Sequence, residues 1–326
     1  MRTLVTGATG YIGPFLVNKL KADGHQVSIL VRKKDDFDRL SSEGFNCILG
    51  DLTNKESLKG ILNDIEVLFH LANIASWWLP RKQDYYDINV TGTINLLEEA
   101  KNSNLEKIIY TSSIAAIRQP KGIVATEDSV HQGDFESDYS KSKYLVEKEI
   151  DKYKNLGLPI VTLNPGVVTG PRDFKTFGKT LIGISNGKIK SKFFPESYVP
   201  LVYIDDVIDI LTRALDIEPG KKYVVVGENI KIGDIFDKVC EILGKEKINR
   251  ITPDISLRML AYFSEFISFF TKKRPFLAID GLKAIEIGAM ASAQKSIDEL
   301  GFKYLNADQI LTKSIEWYKK NNYIND

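Results

Sequence analysis

Tyr139 and Lys143 stand four residues apart, a spacing that brings both side chains to one face of a helix. A phenol with its ordinary pKa of about 10 is a poor base at neutral pH. An ammonium beside it favours the phenolate, so Lys143 is expected to lower the pKa of Tyr139 and let it give or take a proton at a carbonyl or hydroxyl. Tyr110-Thr111-Ser112-Ser113 closes an apolar run that reads as a strand. A hydroxyl at a strand end can hydrogen-bond the reacting oxygen of a ligand, and Ser113 is chosen for that role. Thr111 and Ser112 are accounted for as strand-end and turn residues.

A third pattern, Gly7-Ala8-Thr9-Gly10-Tyr11-Ile12-Gly13, links an apolar run to an amphipathic stretch. Glycines there let the backbone turn tightly and approach a pyrophosphate, while the helix N-terminus offers free N–H groups and a positive dipole end. The ribose of such a dinucleotide is read at the end of the next strand, where Arg32-Lys33-Lys34 follows Val31. A guanidinium matches the oxygens of a 2′-phosphate bidentately and a carboxylate would repel them, so NADP is expected, with NAD as the alternative. Asp35 and Asp36 lie about 20 residues beyond the glycines, where an NAD-type acid is sought, but past the strand end.

The elements that must position these residues alternate as short apolar runs and longer amphipathic stretches, the pattern of a parallel sheet covered by helices. Strands are expected at residues 3–6, 27–31, 46–49, 67–71, 107–111 and 160–163, and helices at 12–22, 85–102 and 139–153. The expected fold is α/β: a Rossmann-type doubly wound parallel sheet with a smaller, mostly helical C-terminal substrate lobe. Residues 1–165 and 201–230 would form the NADP-binding domain. Residues 166–200, rich in Gly, Phe, Lys and Pro, and 231–326 would form the lobe. The segment 256–270 is apolar over much of its circumference but short for a bilayer span, which takes about 20 residues. It is expected to be a buried lobe helix, with a substrate lid or membrane-surface contact as alternatives.

Composition narrows the function classes. The 326 residues carry 44 Lys and Arg against 43 Asp and Glu, so no charge excess is available to grip nucleic acid. Cys47 and Cys240 are too few for a disulfide framework, and no Cys/His cluster suggests a metal site. With no export signal or transmembrane stretch apparent, a reducing, cytoplasmic location is expected. His25, His70 and His131 are scattered and read as ordinary structural or surface residues.

Taken together, TGATGYIG, Asp51-Leu52, FHLA from Phe69, NVTGTINLL from Asn89, YTSS, YSKSK, NPGVVTGPRD from Asn164 and YIDDV from Tyr203 resemble an extended short-chain dehydrogenase/reductase over almost the whole chain. The Val31-Arg32 pair and Ala293-Gln294-Lys295-Ser296 before ELGF resemble the branch holding dihydroflavonol 4-reductases, 3β-hydroxysteroid dehydrogenases and hopanoid-associated epimerase-like proteins. The resemblance implies Ser113, Tyr139 and Lys143 as catalytic triad, with Lys143 also holding the nicotinamide ribose. It implies Asp51 and Leu52 at the adenine, Leu71 and Ala72 along the pyrophosphate and ribose path, Asn89 as a support from its helix, and Asn164, Pro165 and Val168 at the nicotinamide. Asn73 replaces the second alanine usual in the family and could bond cofactor or substrate. A homodimer through a four-helix bundle of residues 85–102 and 139–153 is also implied.

The expected activity is therefore NADP-dependent hydride transfer between nicotinamide and a carbonyl or secondary alcohol of a small organic substrate. A nucleotide-sugar epimerase retaining NAD is the alternative, and a noncatalytic NADP-sensing protein is a remote one. A sugar 4,6-dehydratase is disfavoured because Ser112-Ser113, and not an Asp-Glu pair, follows Thr111. On the substrate side, Trp77 and Trp78 follow a strand, where an indole can stack on a sugar, a polyketide or a sterol ring. Arg172 and the group Phe174, Phe177, Phe193 and Phe194 fall in the segment that closes the cleft by resemblance, the phenylalanines being better read as lobe core.

Overall fold

The computed structural model describes residues 1–324; the last two residues of the expected lobe lie outside the described residues. The chain runs through β1 (Arg2–Thr6), α1 (Gly13–Ala22), β2 (Gln26–Val31), α2 (Lys34–Ser42), β3 (Asn46–Leu49) and β4 (Val67–His70), then a π-helical turn (Tyr85–Thr91) that continues as α3 (Gly92–Ala100). There follow β5 (Lys107–Thr111), β6 (Val124–Ala125), α4 (Asp138–Asn155), β7 (Ile160–Pro165), β8 (Val167–Thr169), α5 (Phe177–Ser185), β9 (Tyr198–Tyr203), α6 (Ile204–Arg213) and β10 (Lys222–Val225). The remainder is β11 (Glu228–Lys231), α7 (Ile232–Ile242), α8 (Asp254–Thr271), α9 (Ile279–Ile287), β12 (Met290–Ala291), α10 (Gln294–Leu300) and α11 (Ala307–Lys320).

Seven strands form one parallel sheet in the order β10-β7-β5-β4-β1-β2-β3. The period of two sends neighbours to opposite faces: Val5 and Ile109 join one core, Leu4, Ile108 and Tyr110 the other. Apolar residues on both faces make these strands continuous hydrophobic runs, as a sheet covered on both sides requires. Strand order reverses between β1 and β4, so the crevice at their carboxyl ends is the place where such a sheet binds ligands. Both the glycine turn after β1 and Leu71-Ala72-Asn73 after β4 open onto it.

The second region shares its core with the sheet. Leu181, Ile184, Phe236, Ile310, Leu311 and Tyr318 pack in the same cluster as Val5 and Ile109. One expectation is corrected here. The helix at 256–270 is not buried: it rests through Ala261 on a small apolar cluster with Leu282 and Phe194, and most of its large side chains face solvent.

Candidate active site

The turn after β1 has the shape its glycines suggest. Gly7 has φ +73°, and a Cβ there would stand 2.7 Å from Ala72 N; a Cβ on Gly13 would stand 2.3 Å from Gly7 O. The Gly10 amide donates to Gly7 O at 2.9 Å, closing the turn. Thr9 and Gly10 are exposed at its tip, and Ile12 caps α1. Tyr11 offers only its backbone to the turn. Its ring packs edge-on to Phe15, and its buried hydroxyl, close to Asp173, Tyr203 and Tyr318, has no hydrogen-bond partner.

A directional hydrogen-bond chain fixes the crevice floor. Ala72 N donates to Thr6 Oγ1, Thr6 pairs with His70 Nδ1 at 2.8 Å, and His70 Nε2 pairs with Thr93 Oγ1 at 2.9 Å. Thr93 donates onward to Asn89 O at 2.6 Å, so its oxygen accepts from Nε2–H and the tautomer of His70 is assigned. Burial holds the His70 pKa down at about 3, which keeps the ring neutral and structural as read from sequence. Asn89 completes the chain: its Oδ1 accepts from Ile74 N at 2.7 Å and its Nδ2 donates to Ile74 O and Ser142 Oγ. Its amide is thus fully engaged within the protein, and Asn89 acts by tying the loop after β4 to α4. The π-helical turn that carries it is a geometry often found at functional sites.

Ser137 accepts from Ser140 N and starts α4, which places Tyr139 in the first turn, where the helix dipole favours negative charge. Tyr139 comes close to the side chain of Ser113, which lies two residues beyond the carboxyl end of β5. Trp77 packs edge-on against the phenol ring, with centroids 5.5 Å apart. The sequence expectation for its acidity is corrected. Burial raises the Tyr139 pKa, the Ser113 hydrogen bond pulls it down and nearby Glu136 adds to the rise, so the neutral phenol is the stable form.

Lys143 lies beneath, 1% exposed, and turns to other partners: Nζ donates to Tyr110 Oη at 2.9 Å and to Thr111 O at 3.2 Å. Burial lowers its pKa to about 7, opposed by the charge of Glu147. Glu147, one turn further along α4, was not singled out from sequence. It accepts from Ser112 Oγ and Asn164 Nδ2 and pairs with Lys222 at 2.6 Å. Asn164 Nδ2 also donates to Ser113 O, so this buried node joins the segment after β5 to β7, β10 and α4. Its only sequence signal was a carboxylate four residues after Lys143 on the same helix face.

The remaining expected residues fall in several places. Arg32 is exposed at the end of β2 and makes no ion pair or hydrogen bond among the described residues, whereas Lys34 pairs with Asp38 and Asp36 with Arg39. Asp51 Oδ1 accepts from Thr53 N and Oγ1 and shapes its own loop; Leu52 is buried under Gly92. Asn73 donates to Leu71 O, while its Oδ1, like Thr111 Oγ1 and Asn164 Oδ1, is buried without a partner. Pro165 ends β7 and Val168 lies in β8. Trp78 only brackets the Ser76 hydroxyl with its backbone. Arg172 is exposed at φ +67°, in a loop held by Tyr318 through Gly170 O and Asp173 O. Phe174 packs on Trp317 and Tyr323, and Phe193 on Phe236, away from Tyr139's own contacts.

The residues fit a dinucleotide. Gly7 and Gly13 form a cradle that any Cβ would fill, and unpartnered polar atoms of Asn73, Thr111 and Asn164 stand at the carboxyl ends of β4, β5 and β7. Among the described residues no cluster of His, Cys, Asp or Glu could hold a metal ion.

Known proteins agree with this geometry. The sequence model of the NAD dependent epimerase/dehydratase family matches residues 3–227. The chain is 27% identical to sterol demethylase protein B of Methylococcus capsulatus over 99% of its length and 100% of that protein. It is 29% identical to a putative dihydroflavonol 4-reductase of Synechocystis, covering 98% and 95% of the two chains. The crystal structure of gox2253 superposes with a TM-score of 0.82 at 30% identity over 99% of both chains. UDP-glucose 4-epimerase of Thermus thermophilus, in complex with NAD, shares the fold with a TM-score of 0.75 at 22% identity over 98% and 99%. A tight glycine turn after β1, a half-buried tyrosine and a buried lysine on one helix, and these matches converge: the chain belongs to the NAD dependent epimerase/dehydratase family of extended short-chain dehydrogenases/reductases, and is an NAD(P)-dependent oxidoreductase.

Proposed function

We propose that the enzyme uses NADP to move hydride between nicotinamide and a carbonyl or secondary alcohol carbon of a small organic substrate. The observation that carries this reading is that Tyr139, its phenol pKa raised by desolvation, stands beside the Ser113 side chain at the carboxyl side of the sheet, with Lys143 one turn along the same helix. A bound nicotinamide supplies the hydride. In the reducing direction Tyr139 gives its proton to the developing alkoxide, Ser113 donates to the same oxygen, and Lys143 contributes positive charge from below.

The glycine turn with Thr9, Tyr11 and Ile12 holds the pyrophosphate. Asp51 and Leu52 border the adenine; Leu71, Ala72 and Asn73 line the path to the ribose, which Lys143 also holds. Thr111, Asn164, Pro165 and Val168 border the nicotinamide. The free guanidinium of Arg32 supports a 2′-phosphate. Residues 1–165 and 201–230 bind the cofactor, and 166–200 with the part after 230 shapes the substrate cleft, Trp77 and Arg172 standing at its rim. A dimer through α3 and α4 and a cytoplasmic location belong to the same reading. No helix among the described residues is long and apolar enough to cross a membrane.

A second reading is favoured by a specific relative: UDP-glucose 4-epimerase of Mycolicibacterium smegmatis is 30% identical over 71% of this chain and 78% of its own. A panel of ketones and aldehydes with NADPH, run beside Tyr139→Phe, tests the first reading. Turnover that depends on Tyr139 is expected. Copurified NAD with tighter NADH than NADPH binding would promote the epimerase.

A further inference from the structure

Helix α8 is attached by its small side chains and presents its large ones to solvent. Its inward face is Ala261, Ser264 and Ser268, all buried. Ser264 Oγ donates to Leu277 O at 2.6 Å, Ser268 Oγ to Ser264 O at 2.9 Å, and Glu265 accepts from Ile279 N at 2.7 Å. Outward along the helix run Met259, Phe263, Phe266, Phe269 and Phe270, each more than 60% exposed, and beyond its end Phe276 is 83% exposed. Exposed residues of this size are common singly. A continuous stripe of them marks an interaction surface.

The charge around the stripe says what covers it. Lys272, Lys273 and Arg274 follow the helix directly and are all exposed. The acids nearby are mostly engaged: Glu265 turns inward to Ile279 N, and Glu286 is paired with Arg258. Lys272 Nζ lies over the face of the Phe269 ring, 4.8 Å from its centroid, so a cation adjoins the apolar stripe at this end of the helix.

We propose that α8 and the Lys272–Phe276 turn dock the enzyme on the surface of an anionic lipid bilayer, the phenylalanines entering the acyl boundary and the cations lying among the headgroups. The helix lies in the interface and does not cross it. Helix α9, on which α8 rests, reaches the site: a Cβ on Gly281 would stand 3.2 Å from Trp77, whose ring packs against Tyr139. The docking surface and the proton donor are therefore separated by one helix. Docking is independent of the reaction proposed above.

Full-length protein is sedimented with vesicles of phosphatidylcholine, with and without phosphatidylglycerol. Sedimentation with the anionic vesicles is expected, at least about tenfold stronger than with neutral ones and weakened by salt. The triple variant Phe266→Ser, Phe269→Ser, Phe270→Ser should lose binding to both. Lys272→Glu, Lys273→Glu, Arg274→Glu should lose the anionic preference. Both variants alter exposed groups, so unchanged far-ultraviolet circular dichroism and cofactor binding are expected. Wild-type protein that stays in the supernatant with both vesicles overturns the proposal, as does vesicle binding that survives the triple Phe variant. A dimer seen by light scattering, split by the Phe substitutions and blind to vesicles, would assign the face to a second copy and overturn it equally.

Discussion

Helices α4 and α8 are each 18 residues long and invert one another. The first buries Ser140, Ser142, Lys143 and Glu147; the second exposes Met259, Phe263, Phe266, Phe269 and Phe270. Neither follows the rule that apolar side chains go in and charged ones out. In α4 the exception is compensated inside the protein, because Lys143 reaches Tyr110 and Thr111 while Glu147 reaches Lys222, Ser112 and Asn164. In α8 the large face has no such internal partner, and the compensation must come from outside. A buried charge points to chemistry; an exposed apolar stripe points to a surface.

The sharpest way to break this contrast is at Lys143. Lys143→Met should reduce turnover roughly a hundredfold or more, since the charge under the developing alkoxide is lost. The same change should alter stability in a pH-dependent way. The Lys143 pKa is lowered from 10.5 to about 7, so between these limits the unfolded chain binds a proton that the folded one does not. Stability of the wild type should then rise with pH across that window, and denaturant midpoints from the Met variant should lack that slope. In the wild type, carbonyl reduction should weaken as pH climbs through about 7 and Lys143 discharges.

Glu147→Ala comes next, with an expected loss of about 3 kcal/mol or more in urea unfolding, because Lys222 is left partly buried without its partner. Glu147→Gln should lose less. Arg32→Ala is expected to weaken NADPH binding about tenfold while leaving NADH binding unchanged, measured by fluorescence titration. The smallest effect belongs to the other helix: Phe266→Ser should change unfolding free energy by no more than about 0.5 kcal/mol, as for an ordinary surface position. A large loss there would mean that α8 is covered in the free protein and would erase the comparison.

These two helices also mark how far the sequence could be read. The strands, the glycine turn and the Tyr139–Lys143 pair were legible because each answers a local demand: a positive φ at Gly7, a period of two in β1, a four-residue spacing in α4. The partner of Lys143 was not, since Tyr110 meets it only when β5 and α4 pack together, and burial then reversed the expected direction of the Tyr139 pKa. Glu147 was overlooked for the same reason. In α8 an apolar circumference suggested burial, yet the small residues Ala261, Ser264 and Ser268 at helical spacing were the signal for which face goes in. Composition says that a helix is apolar; only its neighbours decide which side they cover.

The central claim is that Tyr139 supplies the proton. Its most direct test is single-turnover oxidation of saturating NADPH by a reducible carbonyl at neutral pH, comparing wild type with Tyr139→Phe. A rate lower by about a thousandfold, with NADPH affinity unchanged, is predicted. A variant that reduces the carbonyl within about tenfold of the wild-type rate would contradict the account, since the phenol would then fall below the contribution expected of a general acid.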